Sequence, residues 1–443
     1  MKMLIISYSY SPRNSPRAFR WTALCEEWAK LGHEVHVVTG WEPGLEQHEI
    51  ANRVNVHRVG GIFDIARKWA LAGGTGPQGN DNKLNNKVRV RRINVRAWLS
   101  YSMGRMLRVV HNLTWKKVYW PDFACLWIWP AARKSRSLHK MLEFNVMITV
   151  SHPFSDHIVG YILRRTYQRL GWVADSGDPF AFSEGLPSNN FAVYKKLNYW
   201  IEQKVLDATD CFTVTTEETK RLYLQHYERI SSKLNVVPPL LNPLFDQIDT
   251  DNEHVFDNNA IVMLFVGMFY RKMRSPESLL KLINKVTCNS EILKSKLQLH
   301  VMGSPDIIIR ELEKYPFLQP RVFIHGVVSH KEAINCMFKA TLLVNIGNKT
   351  SYQLPSKVIE YMATGLPIVN LYSIPNDSSI SALKHYPKHL NIDVNDVETN
   401  DQIVSFIEKH SKGNSNENFS GAVDRFRLKN ISNHYLTLLH EVD

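Results

Sequence analysis

Short apolar runs alternate with stretches of helical spacing along the chain, and this alternation restricts the fold more than any other feature. Leu4–Ser7 reads as a first strand, a polar loop follows, and Ala18–Leu31 carries apolar residues at helical spacing before Gly32 ends it. Glu34–Thr39 is the next strand, and Arg53–Gly60 is a candidate for another. Val146–Val150, Trp172–Ala174, Cys211–Thr215 and Leu234–Val237 continue the series, with a long helix over Tyr194–Leu206. Units of this kind build parallel sheets covered by helices. Residues 246–258 are acidic and polar and read as a linker. The rhythm restarts at Ile261–Val266 and runs through Gln298–Met302, Val322–His325, Leu342–Asn345 and Ile368–Leu371. The expected architecture is α/β: a doubly wound domain over 1–245, a second over 259–420, and a helical segment over 421–443 that packs back on the first. Ligands in such folds sit at the carboxyl ends of the strands, so the two domains are expected to face a central cleft.

At 443 residues the chain is long enough for two such cores. A formal net charge of +12 favours anionic partners: phosphorylated small molecules, anionic lipid or nucleic acid. No nucleic-acid recognition motif is present, so nucleic acid is set aside. The first turn lacks G-x-G-x-x-G, which disfavours a dehydrogenase. The five cysteines, Cys25, Cys125, Cys211, Cys288 and Cys336, are widely spaced and form no C-x-x-C. They fit buried thiols in a reducing cytosol better than a disulfide framework or a zinc site. No His/carboxylate cluster has the spacing of a metal site, and neither metal nor cofactor is expected. No run reaches the roughly 18 apolar residues that span a bilayer, so membrane contact would be peripheral, on the inner face of the cell membrane.

The densest cluster of chemistry-bearing residues is L-P-S-K-V-I-E-Y-M-A-T-G-L-P-I-V, from Leu354 to Val369. Pro355 and Ser356 suit the first turn of a helix and Gly365 its end, with a strand directly after. A helix N-terminus offers partial positive charge and free N–H groups to a phosphate. Lys357 adds a cation, and Glu360, about one turn further in, can accept hydrogen bonds from two ribose hydroxyls. The segment resembles the donor-binding signature of family 4 glycosyltransferases, which have the GT-B fold of two Rossmann-like domains. In particular it is similar to a subgroup with P-S-K-[LV]-x-E-Y-[LM]-A-[ST]-G-x-P-[IV]. The resemblance implies a nucleoside-diphosphate sugar, UDP- or GDP-linked, as co-substrate. It places Glu360 on the ribose, and Ser356, Lys357 and the helix start at the diphosphate. Much of the family carries a second glutamate eight residues before, facing the donor sugar; Tyr352 stands there in this chain. The donor sugar, and whether anomeric configuration is retained, are left open.

Other loops after strands add to the pattern. Gly267 ends one strand and lets backbone approach a ligand, and Arg271, Lys272 and Arg274 follow, able to clamp a diphosphate. Which of the three reaches the phosphate is left open. The strand-turn from Val322 to Ser329, with Val327, borders the nucleobase in resembling proteins; Asn348, after the next strand, is expected to line the same cleft. Where the family has a glycine-rich first turn, this chain has Arg13, Arg17 and Arg20, which favour a phosphate on acceptor or donor. Two N-terminal loops are candidates for catalysis. One carries His152, the other Asp178; either could take a proton from an acceptor hydroxyl. The subgroup shows D-x-R-D-P-W on the second loop; here Gly177 replaces the arginine and Phe180 the tryptophan.

From Lys83 to Lys117 the chain holds ten basic residues and no acidic one, Arg91, Arg92, Arg96, Arg105, Arg108, Lys116 and Lys117 among them, with Trp98 and Trp115. Such a stretch suits an anionic membrane surface. The expected activity is transfer of a sugar to a lipid-linked or membrane-located acceptor during synthesis of surface polysaccharide, such as capsule or lipopolysaccharide. The alternatives are a nucleotide-sugar-binding protein without transfer and a sugar-nucleotide epimerase.

Overall fold

The computed structural model describes residues 1–13, 15–42, 44–60, 118–183, 187–246, 256–270, 274–399, 401–411 and 420–443. Arg271 and Lys272, most of the 246–258 linker, and the whole basic stretch with Arg91, Arg92, Arg96, Trp98, Arg105, Arg108, Trp115, Lys116 and Lys117 lie outside the described residues. The chain divides into two compact units. The first comprises Met1–Thr213, Arg229–Asn235 and Leu436–Asp443; the second comprises Val214–Glu228 and Val236–Tyr435.

Among the described residues the first unit is built on an eight-stranded sheet: β1 (Lys2–Ile6), β2 (Glu34–Gly40), β3 (His48–Ala51), β4 (Val54–Val59), β5 (Val146–Ser151), β6 (Gly171–Ser176), β7 (Cys211–Val214) and β8 (Leu234–Val236). Their order is β3-β4-β2-β1-β5-β6-β7-β8. The pairs β1–β2, β1–β5, β2–β4 and β5–β6 are parallel, and β3 is an antiparallel edge. The second unit holds a six-stranded sheet of β9 (Ile261–Val266), β10 (Leu297–Met302), β11 (Val322–Gly326), β12 (Leu342–Ile346), β13 (Ile368–Tyr372) and β14 (His389–Asp393), in the order β11-β10-β9-β12-β13-β14. All its pairings are parallel. Both halves are Rossmann-like, and the α/β fold class read from the sequence is observed.

Strand order reverses beside β1 in one sheet and beside β9 in the other. Crevices at the carboxyl ends of strands open where connections leave in opposite directions. The positions so marked are the ends of β1 and β5, and of β9 and β12. The period-2 geometry of β9 explains why it is central: Ile261, Met263 and Phe265 enter one apolar layer, Val262, Leu264 and Val266 the other.

One helix begins earlier than its apolar spacing suggests. It runs Pro16–Lys30, because Ser15 caps it, accepting from the Ala18 N–H at 3.2 Å, and Pro16 fills the first helical position.

A buried polar ladder sets the register of the second sheet's far half. Asn345 Nδ2 donates to Asn370 Oδ1 and Asn370 Nδ2 to Asn391 Oδ1, both at 2.7 Å, across β12, β13 and β14. Ser379 Oγ donates to the same Asn370 oxygen at 3.1 Å. A one-residue slip would turn each amide to the opposite face. Asn370→Ala is expected to strand the buried Asn345 and Ser379 and cost about 1–3 kcal/mol, seen as a lower urea midpoint. An unchanged midpoint would show that the ladder does not hold the register.

Candidate functional site

The helix Ser356–Thr364 starts at Pro355 without a side-chain cap and ends at Gly365, whose φ of 74° is left-handed. The Val358 N–H donates to the Pro355 carbonyl at 3.0 Å, which leaves the Ser356 and Lys357 N–H groups for a ligand. Tyr361 fixes the helix against the sheet. Its Oη accepts from the Val266 N–H at 2.8 Å and donates to the Val266 carbonyl at 3.2 Å. Val266 is the last residue of β9, so the helix is docked on the strand that delivers Gly267.

Gly267 N–H donates to the Met302 carbonyl at 2.9 Å. A Cβ on Gly303 would fall 1.9 Å from the Gly267 carbonyl oxygen, so this turn closes directly over the end of β10. Tyr270 and Arg274 then exchange both backbone hydrogen bonds at 2.9 Å, bringing the chain back toward the sheet. Arg274 Nη2 donates to Asn348 Oδ1 at 2.8 Å, and Asn348 Nδ2 donates to the Gln353 carbonyl at 3.1 Å. These bonds connect the loop after β9, the loop after β12 and the approach to the 356–364 helix. Arg274 Nε is buried without a protein partner. Among the described residues no carboxylate pairs with this guanidinium. Burial works against its charge and pulls its pKa down, while Tyr361, Tyr270 and Asp377 push the other way.

Lys357 Nζ lies 2.5 Å from Glu360 Oε2. The other oxygen, Oε1, faces His330 Nε2 at 3.6 Å. His330 opens the helix His330–Lys339, and burial lowers its pKa, with Glu360 opposing. Glu360 is itself buried. Sequence reading missed His330; the signal was Ser329-His330-Lys331-Glu332, a helix start whose Ser329 Oγ accepts from the Glu332 N–H at 3.2 Å. It also missed Asp377. The Asp377 Oδ1 accepts from the Ser379 N–H at 2.8 Å, its Oδ2 is buried without a partner, and burial raises its pKa. A Cβ on Gly347 would lie 1.8 Å from that Oδ2, which explains a glycine after β12. Val327 is 79 % exposed beyond β11. Tyr352 is buried, and its carbonyl accepts from Thr219 Oγ1 at 3.0 Å.

The first unit sorts its three arginines differently. Arg13 Nε donates to Glu42 at 2.6 Å and Nη1 to the Tyr8 carbonyl at 2.5 Å, with the guanidinium 4.3 Å from the Tyr8 ring centre. Arg20 is buried. Arg17 Nη1 donates to Asp175 Oδ2 at 3.0 Å; Asp175 is wholly buried and also accepts from Trp21 Nε1 and Thr213 Oγ1. A Cβ on Gly177 would sit 0.9 Å from Arg17 Nη2. The guanidinium thus fills the space a side chain at 177 would need. His152 and Asp178 follow Ser151 and Ser176, which pair across β5 and β6, so both stand at one sheet edge. His152 is exposed and Asp178 half-buried. His157, by contrast, is buried against Thr149 Oγ1 at 2.7 Å. Among the described residues no group of three His, Cys, Asp or Glu could hold a metal ion, and no helix is long and apolar enough to cross a membrane.

Residues 260–377 match the family model of group 1 glycosyl transferases. The constellation from Gly267 to Asp377 falls within that span, and the match supports a glycosyltransferase. No curated protein matches the chain. Among solved structures, sucrose-phosphate synthase from Thermosynechococcus elongatus is similar at a TM-score of 0.60 and 14% identity, over 100% of this chain and 98% of that one. A glycosyltransferase from Rickettsia africae gives 0.57 and 13%, over 100% and 98%. Anabaena HepE, solved in complex with UDP, gives 0.57 and 12%, over 100% of both chains. At these identities the likeness is one of fold.

Two outcomes test the buried polar groups of the two units. Gly177→Ala should drive Arg17 off Asp175 and cost about 1–3 kcal/mol, yet cost little in an Arg17→Ala background. Additive losses in that double-mutant cycle would contradict the interlock. Burial also lowers the His57 and His157 pKa values to about 3 and the His300 value to about 4. The unfolded chain, with histidines near 6.5, then binds more protons in acid, so this stability is full above about pH 6.5 and is lost toward pH 3–4. The urea midpoint should fall across that window, and His157→Gln should flatten the fall; an unaltered slope would refute the assignment.

Proposed function

We propose that the chain is a glycosyltransferase that binds a nucleoside-diphosphate sugar on its second unit and passes the sugar to a lipid-linked acceptor. The observation that carries the donor half is the half-buried Arg274 guanidinium, its Nε buried without a protein partner, unpaired with any described carboxylate, and tied through Asn348 and Gln353 to the approach of an uncapped helix. A half-buried cation with a buried, unused N–H seeks an anion. In this reading the diphosphate lies between Arg274 and the first turn at Ser356–Lys357, with Gly267 and Asn348 beside it. Arg271 and Lys272 add charge from the same loop. Glu360 exchanges Lys357 for the ribose hydroxyls, and Val327 borders the base. Charge developing on the leaving diphosphate is met by these cations and the helix dipole, with no metal assigned. HepE, of the same fold, was solved with UDP; a UDP- or GDP-linked sugar is the donor class proposed here.

The acceptor half rests on the first unit. His152 or Asp178, at adjacent strand ends, takes the acceptor proton, and Arg17, set on Asp175, faces an acceptor phosphate. Arg13, engaged in the preceding loop by Glu42, and the buried Arg20, on the same helix as Arg17, support that position. The proposed setting is the cytoplasmic face of the membrane, in surface polysaccharide synthesis, with the basic 83–117 stretch drawn to anionic lipid. Tyr352, standing in place of an acidic residue, favours one second reading, donor binding without transfer.

Calorimetric titration with UDP and GDP tests the donor site. Glu360→Ala and Arg274→Ala should each weaken the tighter nucleotide about 10- to 100-fold, a loss of about 1.4–2.7 kcal/mol. Unchanged affinity in both would overturn the assignment. Mass spectrometry of products formed with donor sugar and membrane extract separates transfer from binding alone.

A further inference from the structure

The helix Phe191–Ala208 in the first unit has a face that the transfer reaction does not use. It turns Asn198, Ile201, Glu202, Val205 and Leu206 to the core. The opposite stripe carries Val193, Leu197 and Trp200, which are 64 %, 37 % and 53 % exposed. Spacings of four and three place these side chains on one line. Lys196 and Lys204 are exposed beside them, and Lys195 Nζ lies 5.4 Å from the Phe191 ring centre. Glu202, the one acid between 191 and 206, is buried and accepts from the Phe180 and Ala181 N–H groups at 3.2 Å. Asp207, in the last turn, is held by Gln203 Nε2 at 2.7 Å. Over its first four turns the outer face is therefore apolar and cationic with no exposed acid. Tyr194 Oη donates to the Val118 carbonyl at 2.7 Å, which brings Val118, 62 % exposed, against the same helix.

A helix facing water normally turns polar residues outward. Apolar residues with a tryptophan, edged by lysines, are the pattern of a helix lying in a lipid interface. We propose that this face docks on an anionic lipid surface, with Val193, Leu197 and Trp200 entering the boundary between headgroups and chains and Lys196 and Lys204 meeting lipid phosphates. A second copy of the chain fits less well, because a symmetric contact through this face would bring lysine-edged surfaces together. The inference rests on the membrane part of the proposed function and adds to the 83–117 stretch a second surface, the helix face.

Vesicle flotation tests it, with phosphatidylglycerol-containing and pure phosphatidylcholine vesicles. The wild-type chain should float with the anionic vesicles only. Leu197→Glu with Trp200→Glu, and separately Lys196→Glu with Lys204→Glu, should each lower partitioning about tenfold or more. Both variants should keep the thermal midpoint and the nucleotide affinity of the wild type, which separates this surface from the donor site. Flotation that persists in both variants, or that is lost only when arginines of the 83–117 stretch are replaced, would overturn the helix assignment while leaving membrane association standing. Absence of flotation in the wild type would overturn both. A wild-type dimer that Leu197→Glu with Trp200→Glu converts to monomer, without vesicle binding, would assign the face to a second copy.

Discussion

Tyr361 takes both backbone polar groups of Val266 from across the helix–sheet interface, and the geometry of the second unit's candidate site depends on that hold. The phenol occupies the N–H and carbonyl of the last β9 residue, so the strand end and the 356–364 helix are tied together. Burial pushes the Tyr361 hydroxyl far above its ordinary pKa, so it stays neutral and can donate and accept at once. Around this hold the site is an arrangement of close backbone approaches. Gly303 exists for the Gly267 carbonyl, and Gly347 for the Asp377 carboxylate. Each glycine removes a side chain where two loops meet.

The two units treat their cations in opposite ways. In the first, Arg13 is consumed by Glu42 and the Tyr8 carbonyl, and Arg17 rests on a buried aspartate. Most of that charge is spent on structure, and Arg17 keeps a partly exposed guanidinium only because Gly177 leaves it room. In the second unit Arg274 is half-buried against a neutral amide, with burial opposing its charge. A cation so placed gains more from an arriving phosphate than one already neutralised. In the proposed reading, that contrast, rather than the number of arginines, marks Arg274 as the donor-binding group.

Much of this was legible in the sequence because proline and glycine punctuate it. Pro355 and Gly365 bracket the helix at both ends, and the apolar runs after the linker became β9 to β13 almost residue for residue. The start of the first helix was misjudged because apolar spacing marks a buried face, whereas the first turn is set by the Ser15 cap and Pro16. His330 and Asp377 stayed hidden since each meets its partners only through the sheet: His330 is thirty positions from Glu360, and Asp377 as far from Gly347. The asparagine ladder had a signal that went unread, one asparagine in each of three successive apolar runs. The pairing of Arg17 with Gly177 had none, because a glycine shows what it makes room for only in three dimensions.

The most direct measurement is a crystal structure of the chain soaked with UDP or GDP. The expected density places the diphosphate on the Ser356 and Lys357 N–H groups within hydrogen-bond reach of Arg274, with Glu360 turned from Lys357 to the ribose hydroxyls. A nucleotide bound elsewhere, with that helix turn open to solvent and Glu360 still on Lys357, would contradict it.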